Sequence, residues 1–234
     1  MASSSLKQPE KTLWDHVSSY LLTNTLTVGY EIQRLVPDSL LFGSFIMYFL
    51  SGNTTWGVLT LFLFETVILA HTGIATGFQA YQGFLGGQKD LACRPGFRQP
   101  RFDLTRFFIR DRYPSVSLFT IGALSTYMAS TIGYFTDTLR AMGTEWQSRI
   151  TVSYIFIALL LILFVLIHNL SGCESFGELL IALVCGVIVG ILFFYINFLI
   201  FGPEGINILG LPLLVDKSQT AAPIYVCLKE NSNQ

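Results

Sequence analysis

Few side chains in this sequence can do chemistry, and their placement limits what that chemistry is. Glu65, His71 and Asn197 stand inside apolar runs, and His168 closes another, with Glu178 shortly after it. A carboxyl, an imidazole and an amide at bilayer depth are costly, so they mark an ion path or a proton relay. The plainer role for Glu65 is a neutral acid hydrogen-bonded to a neighbouring helix. Half of the 14 Lys and Arg residues fall between Gly83 and Ser117: Lys89, Arg94, Arg98, Arg101, Arg106, Arg110 and Arg112. Basic groups near a membrane surface attract acidic lipid, each contributing about 1 kcal/mol. The stretch therefore predicts anion binding through Lys89, Arg94, Arg98, Arg101 and Arg112. The alternative is that these charges only fix topology.

Cys93, Cys173, Cys185 and Cys227 show no CxxC spacing, so no metal site is expected, and nothing calls for a cofactor. Cys185 reads as a small buried thiol. The net charge is -1, so the basic stretch is local and does not indicate a nucleic-acid binder.

The elements that must position these groups are membrane helices. The chain is 52% hydrophobic and 12% charged, with a mean hydropathy of +0.56. Soluble domains carry roughly 25% charged residues. A span needs roughly 20 apolar residues, so the expected fold is an all-α, polytopic membrane bundle of five or six helices with a short β-rich tail. Residues 1–11 read as a disordered start without a cleaved signal peptide. Residues 12–201 form the membrane domain, with the basic loop at 83–113, and 202–234 form a docking tail.

Within the domain, 12–36 predicts an interfacial amphipathic helix ended by Pro37 and Asp38. The alternative is a packed span at the bundle edge. Residues 39–50 are apolar but short, and cross only with tilt or with residues borrowed from the preceding helix. Spans follow at 54–79, 115–136, 150–168 and 176–201, with a polar connection at 137–149 and a polar turn at 169–175. The small residues of 115–136 predict a helix inside the bundle, and Gly186 and Gly190 predict close packing within it. In the tail, 211–215 and 223–227 suggest a hairpin or an extended docking segment.

The positive-inside rule puts the basic loop, the N-terminus and 169–175 on the cytosolic side, and 137–149 and the tail opposite. A disulfide between Cys93 and Cys173 fits that topology. The sequons at Asn53 and Asn169 fall on opposite sides, so at most one is glycosylated.

Arg94-Pro95, the helix start Pro114-Ser115, and the run from Leu179 to Gly190 come in an order that resembles the type-2 phosphatidic acid phosphatase superfamily over roughly residues 40–200. That family has a six-helix core and the motifs KxxxxxxRP, PSGH and SRxxxxxHxxxD. The resemblance implies that Lys and Arg hold a phosphate, one histidine attacks it, a second acts as acid, and an aspartate orients the nucleophile. Here the motif lysine falls at Gly87, with Lys89 two places late. Val116 and Ser117 replace Gly-His. Glu178 falls at the aspartate, Glu174 at the nucleophilic histidine and His168 at the arginine. A phosphohistidine route needs an imidazole that Glu174 cannot supply. Active members face the lumen or the outside with these motifs, whereas the charge bias here points inward.

The resemblance thus implies the fold without the reaction: a non-catalytic scaffold that binds anionic membrane lipid or a larger membrane or virion-type assembly. The alternatives are a lipid-phosphate phosphatase with a rearranged site, using His168 or His71 as base with Glu178 nearby, and a small channel or transporter built on Glu65, His71 and Asn197.

Overall fold

The structure is a computed structural model that describes residues 13–85, 114–171 and 175–208. The expected disordered start, nearly all of the basic loop with its seven cations, Cys93, Cys173, Glu174 and the expected β-rich runs of the tail lie outside the described residues. Within them the chain is all helical: α1 (Leu13–Ser51), α2 (Thr54–Phe64), a π-helical turn (Glu65–Ala70), α3 (His71–Leu85), α4 (Val116–Ala141), α5 (Thr144–Ser171) and α6 (Phe176–Gly205). The α2, π and α3 segments form one continuous rod, so five rods make the described bundle. Four of them are long and apolar enough to cross a membrane: Thr54–Phe78, Val116–Ala141, Thr144–Leu170 and Phe176–Gly205. The chain is a multi-pass membrane protein on that basis.

Side-chain contacts set the direction of each rod. Phe62 packs on Tyr127 at 4.1 Å, and His71 reaches the Pro114 carbonyl at 2.7 Å, so the α2–α3 rod runs antiparallel to α4. Tyr154 donates to the Ala129 carbonyl and His168 meets Ser115, so α5 is antiparallel to α4 as well. Phe119 lies on Gly186 and Tyr127 on Phe194, so α6 runs parallel to α4. One end of the bundle gathers Tyr30, His71, Pro114, His168 and Ser175, and is called the mouth here. The far end gathers Ser51, Asn53, Met142, Gly143 and Glu204. The start of α4 and the α5–α6 turn therefore share one end, as two successive crossings between them require.

Helix α4 is the central element. Its span is 67% buried, against 6% for α5, which lies at the periphery. The reason is in its sequence. Gly122, Ala123 and Ser125 keep its surface low, and Gly186 and Gly190 of α6 press directly on the backbone of Phe119 and Ala123. With no hydrophobic driving force between helices in lipid, this close backbone approach supplies the packing attraction.

Three boundaries differ from the sequence reading. Pro37 and Asp38 do not end α1, which continues to Ser51. Proline inside a helix costs about 3 kcal/mol. Here Tyr30, Gln33, Pro37, Leu41 and Ser44 form one buried stripe at helical spacing, and its packing carries the helix through. Ser44 accepts from Thr60 at 3.1 Å, which places the second half of α1 alongside α2, as a packed rod at the bundle edge. Next, the connection expected at 137–149 shrinks to Met142 and Gly143. Gly143 adopts φ 126°, which lets α4 turn directly into α5. Finally, α3 extends to Leu85, beyond the expected end of the span at 79 and into the stretch read as the basic loop.

At the far end the last span stops at Gly202, whose φ of 67° breaks the helix before Pro203. The chain then turns inward. Thr55 donates to the Glu204 carbonyl at 3.4 Å, and Ile206 and Asn207 are buried. The first residues of the expected docking tail are thus part of the bundle.

Candidate functional site

Two polar sites occupy the bundle, and the sequence-predicted residues divide between them. The first is at the mouth, where α4 begins. Pro114 precedes the first turn and Ser115 takes the N-cap position with φ -50° and ψ 118°. A serine there ordinarily accepts from first-turn amides. Ser115 makes no such bond, and its hydroxyl faces His168 Nε2 at 3.4 Å. His168 Nδ1 lies 3.1 Å from the Phe164 carbonyl. A carbonyl only accepts, so Nδ1 carries a hydrogen, and in the neutral form of the ring the lone pair is at Nε2, facing Ser115. By the same logic His71 Nε2 donates to the Pro114 carbonyl. Both imidazoles are buried, and aromatic edges hold them: Tyr30 against His168 at 5.0 Å and Phe119 against His71 at 5.2 Å. Arg34 lies over the Tyr30 ring and pairs with Glu31 at 3.3 Å.

Two of the three histidines thus converge on adjacent residues, Pro114 and Ser115. Matching the chain to the phosphatase motifs leaves the mouth without an imidazole in either catalytic place. The fold instead brings one from α3 and one from α5, positions that no motif spacing links. The positive end of the α4 dipole and its first-turn amides favour negative charge at the same point.

Glu178 has a local task. Its carboxylate accepts from the Ser175 backbone N–H at 2.7 Å and caps α6. Glu178→Ala is expected to cost about 1 kcal/mol of stability, read as a lower unfolding midpoint in detergent without loss of the assembled bundle.

The second site lies at mid-depth. Glu65 opens the π-helical turn, and π turns inside α-helices occur often at functional sites. Tyr127 on α4 lies within hydrogen-bonding reach of Asn197 of α6 and within electrostatic range of Glu65. Tyr127, Asn197 and Thr66 are each 0% exposed. The Tyr127 hydroxyl, both amide atoms of Asn197, Thr66 Oγ1 and Glu65 Oε2 are buried without a hydrogen-bond partner of regular geometry. Glu65 and Asn197 therefore belong together, and His71 belongs to the mouth; the three do not line one site. Thr120, fully buried on α4, has an unpaired hydroxyl as well. It precedes Tyr127 by two helical turns, on the side toward the mouth.

The sequence reading missed Tyr127 and Thr66, and took Ser115 only as part of the Pro114-Ser115 helix start. Tyr127 was the most detectable, being a phenol in a span of small residues. Cys185, read from the sequence as a buried thiol, is half-buried on α6. Among the described residues no three His, Cys, Asp or Glu side chains converge as a metal site would require. Between α1 and α2 an open apolar groove of about 570 Å³ is lined by Leu41, Phe45, Tyr48, Val58, Phe64 and Phe201, a shape and polarity suited to a lipid chain. Comparison with family models, with curated proteins and with solved structures finds no match for this chain.

Proposed function

We propose that this protein is a non-catalytic membrane scaffold whose mouth receives an anionic lipid headgroup. The observation that carries this reading is the start of α4. There an N-cap serine is turned away from the helix amides and two imidazoles flank the point where the dipole is positive. Lys89, Arg94, Arg98, Arg101 and Arg112 precede that helix start in the sequence, and on this reading they supply the long-range attraction. On this reading the order of elements reflects a phosphatidic-acid-phosphatase-like bundle whose phosphate subsite persists without the phosphohistidine chemistry. The mouth faces the cytosol or its equivalent, as the cationic bias requires. The outward apolar face of α5 and the end of the tail are the surfaces offered to a larger membrane or virion-type assembly.

Lipid retention tests the proposal. The full chain is exchanged into mixed micelles of phosphatidic acid and phosphatidylcholine, and the lipid that stays bound is measured by mass spectrometry. Phosphatidic acid is expected to be enriched, and the enrichment is expected to fall with added salt. Equal retention of the two lipids would overturn the proposal.

One observation favours a second reading, a hydrolase with a rearranged site. Ser115 Oγ faces the lone pair of His168, and Phe164 fixes the ring, which is the arrangement of an activated nucleophile. On that reading phosphate or acyl release from a lipid is lost in both Ser115→Ala and His168→Ala. Release that survives either change removes this reading.

A further inference from the structure

The mid-depth cluster has an electrostatic imbalance that the mouth does not explain. Arg34, Arg140 and Arg149 are the Lys and Arg residues among those described. They stand with Glu31, Asp137 and the Trp146 ring respectively, not with Glu65. A carboxylate at this depth therefore has no counter-charge from those residues. Around it, Thr66 and Tyr127 offer hydroxyl oxygens and Asn197 offers an amide oxygen, all buried and without a hydrogen bond of regular geometry, with Tyr127 and Asn197 close enough to interact. Native interiors leave few such atoms, and each calls for water or an ion. The hydroxyls and the Asn197 amide nitrogen can each donate to Glu65, but a bound cation engages the carboxylate, hydroxyl and amide oxygens at once. Oxygen-only donors suit a hard cation, and a single carboxylate matches a single positive charge.

We propose that Glu65, Thr66, Tyr127 and Asn197 form an intramembrane site for a small monovalent cation, sodium, with the Glu65 carboxylate as the charged ligand and a proton as competitor. Each packed element contributes as follows. The π turn supplies Glu65 and Thr66, α4 supplies Tyr127, and α6 supplies Asn197. The α3 segment supplies His71 one and a half turns nearer the mouth, and α2 brings no titratable group. The π turn is functional on this view: Thr66 follows Phe62 by one turn, Phe62 packs on Tyr127 of α4, and Tyr127 packs on Phe194, one turn before Asn197 on α6. Thr120 and Ser117, both buried on α4, continue the polar line toward the mouth. The site stands on its own residues and does not depend on the headgroup reading.

A hydrophobic carbodiimide, which modifies protonated carboxyls in apolar surroundings, tests the site in the full-length chain in detergent. Labelling at Glu65 is followed by peptide mass spectrometry in sodium chloride and in choline chloride. At about ten times its dissociation constant sodium leaves about a tenth of the sites open, so labelling is expected to slow about tenfold. Sodium is also expected to raise the unfolding temperature of the native chain and not that of Glu65→Gln or Asn197→Leu. Equal labelling rates in the two salts, or no labelling of Glu65 at any pH, would overturn the proposal. The labelling comparison uses the unmodified protein, so it holds even where a variant fails to fold.

Discussion

Leucine at Gly186 and Gly190 together is expected to prevent assembly of the bundle. Both glycines of α6 lie directly on the backbone of Phe119 and Ala123 in α4, where even a Cβ atom would collide with a carbonyl. Backbone cannot rotate aside as a flexible side chain can. Overpacking costs about 1–3 kcal/mol where a core can adjust, and two collisions on the central helix should reach or exceed about 3 kcal/mol. The measurement is recovery of monodisperse protein and its unfolding temperature in detergent. Gly43→Ala and Gly77→Ala are the controls, since nothing lies within 4 Å of a Cβ at either. They should be neutral or slightly stabilising, because alanine favours the helix. An unchanged unfolding temperature in the leucine pair would mean that α4 and α6 do not pack as described.

The second large effect is electrostatic and concerns the mouth. Arg94→Gln with Arg98→Gln is expected to lower phosphatidic acid enrichment about thirtyfold. Each basic residue near an anionic surface contributes about 1 kcal/mol, and two such contributions multiply. The same pair should leave the unfolding temperature unchanged and flatten the salt dependence. Enrichment within twofold of the unmodified chain would leave these arginines with topology as their only role.

Much of the bundle is legible in the sequence. The spans at 54–79, 115–136, 150–168 and 176–201 follow from apolar length alone, and the interior position of α4 follows from its glycines, alanines and serines. The helix through Pro37 was not legible. Proline and aspartate together are a stop signal locally, and only the buried stripe from Tyr30 to Ser44 overrides it. Glu65 and Asn197 were visible as costly groups, but pairing them needs the crossing of α2, α4 and α6, which no spacing along the chain encodes. The same holds for His71 and His168. They belong to different rods and meet only because α3 and α5 flank the first turn of α4. Glu178 was visible as a carboxylate near a helix start, and its capping role could have been read from Ser175 three residues earlier.

Nitrogen NMR of the histidine side chains tests the mouth most directly. The full chain, labelled at histidine and held in phosphatidylcholine nanodiscs, is titrated with phosphatidic acid. The Nε2 resonance of His168, assigned by its loss in His168→Ala, is expected to move as the headgroup arrives beside Ser115, and to stay in place when more phosphatidylcholine is added. A His168 signal indifferent to phosphatidic acid, in protein that still retains that lipid, would place the headgroup elsewhere and contradict a receptor at the start of α4.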